Sequence, residues 1–151
     1  MGVMQVSRKV DYALRAMIYL ATQEPGKSCS TAEISGRQGV PRKFLEKIIQ
    51  DLARGGLVKS RRGPGGGYSL TRLSHEISFQ HVIEAVDGPI ALNVCMDRRL
   101  SCDHLPRCTM VGVWSEVQRR VVEVFAHTTL ADLKPASCQV LLSSSSLSSA
   151  A

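Results

Sequence analysis

The run Gly63-Pro64-Gly65-Gly66-Gly67 leaves this chain few choices. Four of its five residues are glycine, so it favours neither helix nor packed strand. It lies between two stretches that read as strands, Leu57-Val58-Lys59-Ser60-Arg61-Arg62 and Tyr68-Ser69-Leu70-Thr71. The combination predicts a hairpin with a glycine-rich tip.

Three helices precede the hairpin. The first runs from about Ser7, its N-cap, to Thr22, with Val10, Leu14, Met17, Ile18 and Ala21 on one stripe; Pro25-Gly26 ends it. The second begins at the capping box Ser30-Thr31-Ala32-Glu33, in which hydroxyl and carboxylate satisfy each other's free amides, and stops near Gly39. The third opens with Pro41 in its first turn, is expected to bury Phe44, Leu45, Ile48 and Leu52, and ends at Gly55-Gly56. Two short helices across a glycine turn form a helix-turn-helix, and a hairpin after it makes a winged helix.

Beyond the hairpin, a short helix is expected from Ser78 to Val86, broken by Asp87-Gly88-Pro89. An irregular stretch then leads to a longer helix from about Thr109 to Ala126. Its apolar residues Met110, Trp114, Val117, Val121 and Val124 step by four, three, four and three, the spacing of a coiled-coil seam. That seam predicts a symmetric homodimer, with packing onto its own domain as the alternative. The expected organisation is a winged helix-turn-helix over 1–75, an irregular loop and dimerisation helix over 76–135, and a Ser/Ala-rich tail over 136–151 expected to be disordered. The fold class is thus mainly α with a small β-hairpin: a winged helix-turn-helix plus a long dimerisation helix.

Charge is divided unevenly. Residues 1–72 hold 13 Lys and Arg against 5 Asp and Glu, whereas residues 73–151 hold 6 against 8. A polyanionic partner for the first half follows: nucleic acid, a membrane surface or an acidic protein. The third helix presents Arg42, Lys43 and Lys47 away from its apolar stripe, where the first turns of a recognition helix meet a major groove. Arg61 and Arg62 lead into the wing tip, whose Gly65 and Gly66 are slim enough to enter a minor groove. Double-stranded DNA is therefore the expected partner. No nucleophile elbow, zincin motif or nucleotide fingerprint is present, and Gly63–Gly67 lacks the Lys-Ser/Thr ending of a phosphate loop, so no enzyme is expected.

Cys95, Cys102 and Cys108 fall within fourteen residues of the irregular stretch. The first 22 residues are amphipathic and interrupted by Arg8, Lys9, Asp11 and Arg15, which does not read as a secretory signal; no run is long enough to span a bilayer. A cytoplasmic location with reduced thiols follows as the expectation. Clustered thiolates are soft ligands suited to an iron-sulfur cluster, and Arg98, Arg99 and Arg107 would offset its charge. A structural zinc with His104 as fourth ligand, a metal-free redox switch and an iron-sulfur redox protein are the alternatives. Cys29 and Cys138 have no partner at motif spacing.

The string Val6 to Ala16, the turn Arg37-Gln38-Gly39-Val40, the segment Phe44-Leu45-Glu46 and above all Arg61 to Tyr68, with the three-cysteine loop behind them, resemble the bacterial iron-sulfur winged-helix regulators that include IscR, NsrR and RirA. The resemblance covers roughly residues 4–135. It implies a homodimeric transcription factor, expected to be a repressor, whose operator affinity is tuned by a cluster sensing iron-sulfur status, iron, nitric oxide or redox state. In IscR-like members a histidine lies three residues after the last cysteine, where this chain has Val111. In NsrR-like members an aspartate of the first helix reaches the cluster of the other subunit, and Asp11 aligns with it; pairing with Arg15 is its alternative role. Three thiolates with a carboxylate and no aligned histidine favour a 4Fe-4S over a 2Fe-2S cluster.

Overall fold

The computed structural model describes residues 5–134. The expected tail over 136–151 and Cys138 lie outside them. Helix α1 spans Arg8–Thr22, α2 Thr31–Gln38 and α3 Arg42–Arg54; strands β1 (Val58–Arg61) and β2 (Gly67–Leu70) follow, then α4 (Phe79–Asp87) and α5 (Val111–His127). Short 3-10 turns carry the chain between β2 and α4 and through the cysteine stretch. The mainly α architecture with one hairpin is as expected.

Local chemistry explains the boundaries. The Ser7 hydroxyl accepts from the Val10 amide at 3.3 Å, and Ser30 from Glu33 at 3.1 Å, each satisfying a free donor of a first turn. The second half of the expected α2 capping box goes elsewhere: the Glu33 carboxylate accepts from the Tyr19 hydroxyl at 2.7 Å, tying α2 to α1. Gly39 ends α2 in the left-handed region at φ 62°. At α4, Ser78 and His81 cap each other's amides, so His81 has a structural task.

The core lies among α1, α3 and α4, with Val10, Met17, Ile34, Leu45, Ile48, Ile49, Leu52, Leu57, Ile77 and Val82 buried. After α5 the chain returns: the Leu130 amide donates to Ile77 at 2.9 Å and its side chain is fully buried. One expectation fails here. Phe44 is 61% exposed, because the buried stripe of α3 is Leu45, Ile48, Ile49 and Leu52, and Phe44 sits one step off it in the first turn.

The long helix also departs from its expected seam. Trp114, Gln118, Val121 and Phe125 are half-buried, with Phe125 stacked on Phe79 of α4 at 4.9 Å between ring centroids. Met110, Val113, Val117 and Val124 are exposed. The Trp114 and Val121 positions therefore belong to a stripe facing the helix's own fold, and a second, open stripe carries Val113 instead.

Candidate nucleic-acid interface and cysteine loop

The hairpin is fixed to the helices at both ends. At its base, the Leu57 amide donates to the Leu52 carbonyl at 2.9 Å, and the Thr71 amide and hydroxyl donate to Leu57 at 3.1 Å and Gly56 at 2.6 Å. Nearer the tip, Cys29 behaves as a one-residue third strand: its amide donates to the Tyr68 carbonyl at 2.9 Å and its carbonyl accepts from the Tyr68 amide at 2.8 Å. Burial pushes the Cys29 thiol up, so it stays protonated and packs as a small apolar group.

The tip glycines have separate reasons. Gly67 has φ 145°, and a Cβ there would lie 2.3 Å from the Cys29 carbonyl oxygen. A Cβ on Gly66 would lie 2.4 Å from the Arg61 carbonyl oxygen. Gly66 also donates to the Gly63 carbonyl at 2.9 Å, closing the turn that leaves Gly65 exposed at its apex. Arg61 pairs in register with Gly67, so Arg61 and Arg62 stand at the mouth of the tip with both side chains exposed.

On α3, Arg42, Lys43 and Lys47 are all exposed. Arg42 is engaged by Glu46, its Nε donating to the carboxylate at 3.2 Å. Among the described residues neither Lys43 nor Lys47 has an ion-pair partner. The expected basic residues thus fall on two neighbouring elements whose relative placement is set by backbone hydrogen bonds.

The cysteine loop joins α4 to α5. Its entry, residues 88–92, is clamped from α5: Gln118 accepts from the Leu92 amide at 3.0 Å and donates to the Ile90 carbonyl. Two ties run from the end of α4 to the start of α1: the Ser7 hydroxyl donates to Asp87 at 3.2 Å, and Lys9 donates to the Val86 carbonyl. Cys95, Cys102 and Cys108 are half-buried thiols in no disulfide. As donors they fit an iron-sulfur centre in chemistry, since all three are accessible soft ligands on one loop. Their positions are a separate matter: among the described residues no three of His, Cys, Asp or Glu converge on a point.

Two of the interleaved charges are used locally. Arg99 clamps Asp97 with both Nε and Nη2, at 3.0 and 2.7 Å, and holds that carboxyl down to about 2. Asp11 accepts from Arg15 Nε at 3.0 Å and keeps half of its side chain exposed. His104 is exposed. Lys9, Gln118 and the Cys29–Tyr68 bridge were not apparent as site components in the sequence; each acts across a long separation, and only the helical placement of Lys9 was visible.

No helix among the described residues is long and apolar enough to cross a membrane. The sequence pattern of the Rrf2 family, described as an iron-dependent transcriptional regulator, matches residues 6–136. The transcriptional regulator IscR of Pectobacterium atrosepticum is 35% identical over 130 residues, covering 86% of this chain and 79% of the relative. Two solved structures share the fold: CymR, the global cysteine regulator of B. subtilis, at TM-score 0.71 and 30% identity over 87% of this chain and 96% of that one; and IscR of T. potens, at TM-score 0.68 and 28% identity over 97% and 94%. With its winged helix and this match over most of its length, the chain belongs to the Rrf2 family of DNA-binding transcriptional regulators rather than to a family of enzymes.

Proposed function

We propose that this regulator is a homodimeric repressor whose operator affinity is controlled by an iron-sulfur cluster held by Cys95, Cys102 and Cys108, with Asp11 of the opposite subunit as fourth ligand. The observation that carries the reading is the position of the thiol loop. It is strung between Val86-Asp87, which Ser7 and Lys9 tie to α1, and α5, whose Gln118 grips the loop's entry and whose apolar stripe faces outward.

When bound, the cluster would supply a centre whose oxidation, nitrosylation or loss changes the ligands' preferred arrangement. The chain's own residues convert that into DNA affinity. Movement of the loop pulls on residues 88–92, and through Val86 and Asp87 on the end of α4 packed beneath α1 and α3. In a dimer joined along Met110, Val113, Val117 and Val124, such a pull alters the separation of two heads that face half-sites roughly one helical turn apart. Each head would set Arg42, Lys43 and Lys47 in a major groove, and Arg61, Arg62, Gly65 and Gly66 in the flanking minor groove. Affinity changes only as far as the two loop states differ in their fit to DNA. Three thiolates and one carboxylate, with Val111 in place of a histidine, favour a 4Fe-4S centre in a cytoplasmic protein.

The deciding experiment is the absorbance and Mössbauer spectrum of the full chain purified without oxygen, beside Cys102→Ala. A 4Fe-4S signature lost in the variant is expected. Colourless protein containing zinc, or colour and iron undiminished in Cys102→Ala, refutes the assignment. A second reading, a metal-free thiol switch, is favoured by one observation, that no three ligands converge among the described residues; reversible oxidation of these thiols in colourless protein would establish it.

A further inference from the structure

The side chain that the sequence assigned to the core and the structure places outside it is Phe44. It is 61% exposed, although the chain's other phenylalanines, Phe79 and Phe125, pack on each other between α4 and α5. It stands in the first turn of α3, one helical turn ahead of the buried Ile48, on the flank of the stripe next to Lys47. An exposed aromatic ring on a helix whose Lys43 and Lys47 have no ion-pair partner among the described residues calls for an occupant that is anionic overall and offers an apolar group at helix depth.

We propose that Phe44 is a base-reading residue that packs on thymine C5-methyl groups in the major groove. The proposal rests on α3 acting as the recognition helix. A major groove offers polar edges along its floor and one apolar feature, the thymine methyl, which a phenylalanine ring covers. The first turn of a recognition helix is the part that reaches base edges. Phosphate contacts by the lysines on the adjoining face would position the helix without reading sequence, and lysines that reach base edges would read guanine, so Phe44 supplies a discrimination for thymine that the cations cannot. Insertion as a wedge between base steps belongs to minor-groove proteins, and an α-helix does not fit that groove.

The test begins with selection of binding sites from a randomised duplex pool by the full chain. Each thymine of the selected half-site is then replaced singly by deoxyuridine, which removes the methyl and nothing else. Wild type should lose about fourfold in affinity at one or two positions, the equivalent of one buried methyl. Phe44→Ala should bind the thymine and deoxyuridine duplexes equally, with the salt dependence of wild type. If wild type ignores every deoxyuridine substitution, or Phe44→Ala keeps the same ratio, the proposal falls while the recognition-helix reading stands. If Lys43→Ala and Lys47→Ala leave binding and its salt slope untouched, that reading falls and takes the proposal with it.

Discussion

Lys9 of α1 and Asp51 of α3 form an ion pair at 2.8 Å, and the same ammonium donates to the Val86 carbonyl at the end of α4. One side chain thus joins α3 to α4, the helix that leads into the cysteine loop. The Asp51 side chain is only 17% exposed, and the Lys9 hydrogen bond holds its carboxyl below the ordinary range.

Lys9→Met should lower stability by about 1 kcal/mol, since Arg54 remains paired with Asp51. A carboxyl depressed in the folded state contributes stability above its unfolded value, near ~3.9, and loses it as pH falls through the folded value. The gap between variant and wild type in urea denaturation should therefore be steady from about pH 5 to 8 and close below about pH 4. Equal stability at pH 7 would refute the role of the pair.

Gly67→Ala should detach the wing. A non-glycine residue at φ 145° with its Cβ driven into the Cys29 carbonyl must give up both bonds of the Cys29–Tyr68 bridge, a local loss of about 2–4 kcal/mol. Hydrogen exchange should accelerate at the Cys29 and Tyr68 amides while core amides of α1 stay protected. Unchanged protection at those two amides is the outcome that contradicts it.

Arg61→Ala should weaken binding to a selected duplex and reduce the slope of log affinity against log salt by about 0.9, the release of one counterion. Fluorescence anisotropy across a salt series measures both. An unaltered slope would mean that Arg61 touches no phosphate or groove potential.

Val117→Glu places a carboxylate in the middle of the open stripe of α5, where Val117 is 41% exposed in the single chain. Sedimentation velocity should show dimer for wild type and monomer for the variant, with helicity preserved because α5 keeps its inner contacts. A dimeric variant would move the interface elsewhere.

Features set by neighbouring residues were legible in the sequence. Ser7 and Ser30 cap helices there because a hydroxyl before an apolar stripe has a free amide within reach, and Gly39 ends α2 because few other residues adopt its backbone. Features set across the fold were hidden. Glu33 has a local and a distant claimant, and only the position of Tyr19 decides between them. The two stripes of α5 overlap in spacing, and Phe79 of α4 determines which one turns inward. Phe44 looks like core in composition and is excluded from it by a single step of helical phase. For the cysteine loop, the thiols and their spacing were legible, whereas their placement in space depends on an aperiodic segment whose path no repeat encodes.

The bonds at Leu57 and Thr71 tie the wing to the end of α3, and those at Cys29 tie it to the segment before α2, with a consequence for the vocabulary of sites such a protein can use. A duplex that engages Lys43 and Arg61 together must present its major-groove and minor-groove features at one fixed offset. On the proposed mode of binding, such a site would admit no letter inserted inside that word, and the elasticity of its grammar would lie in the gap between words.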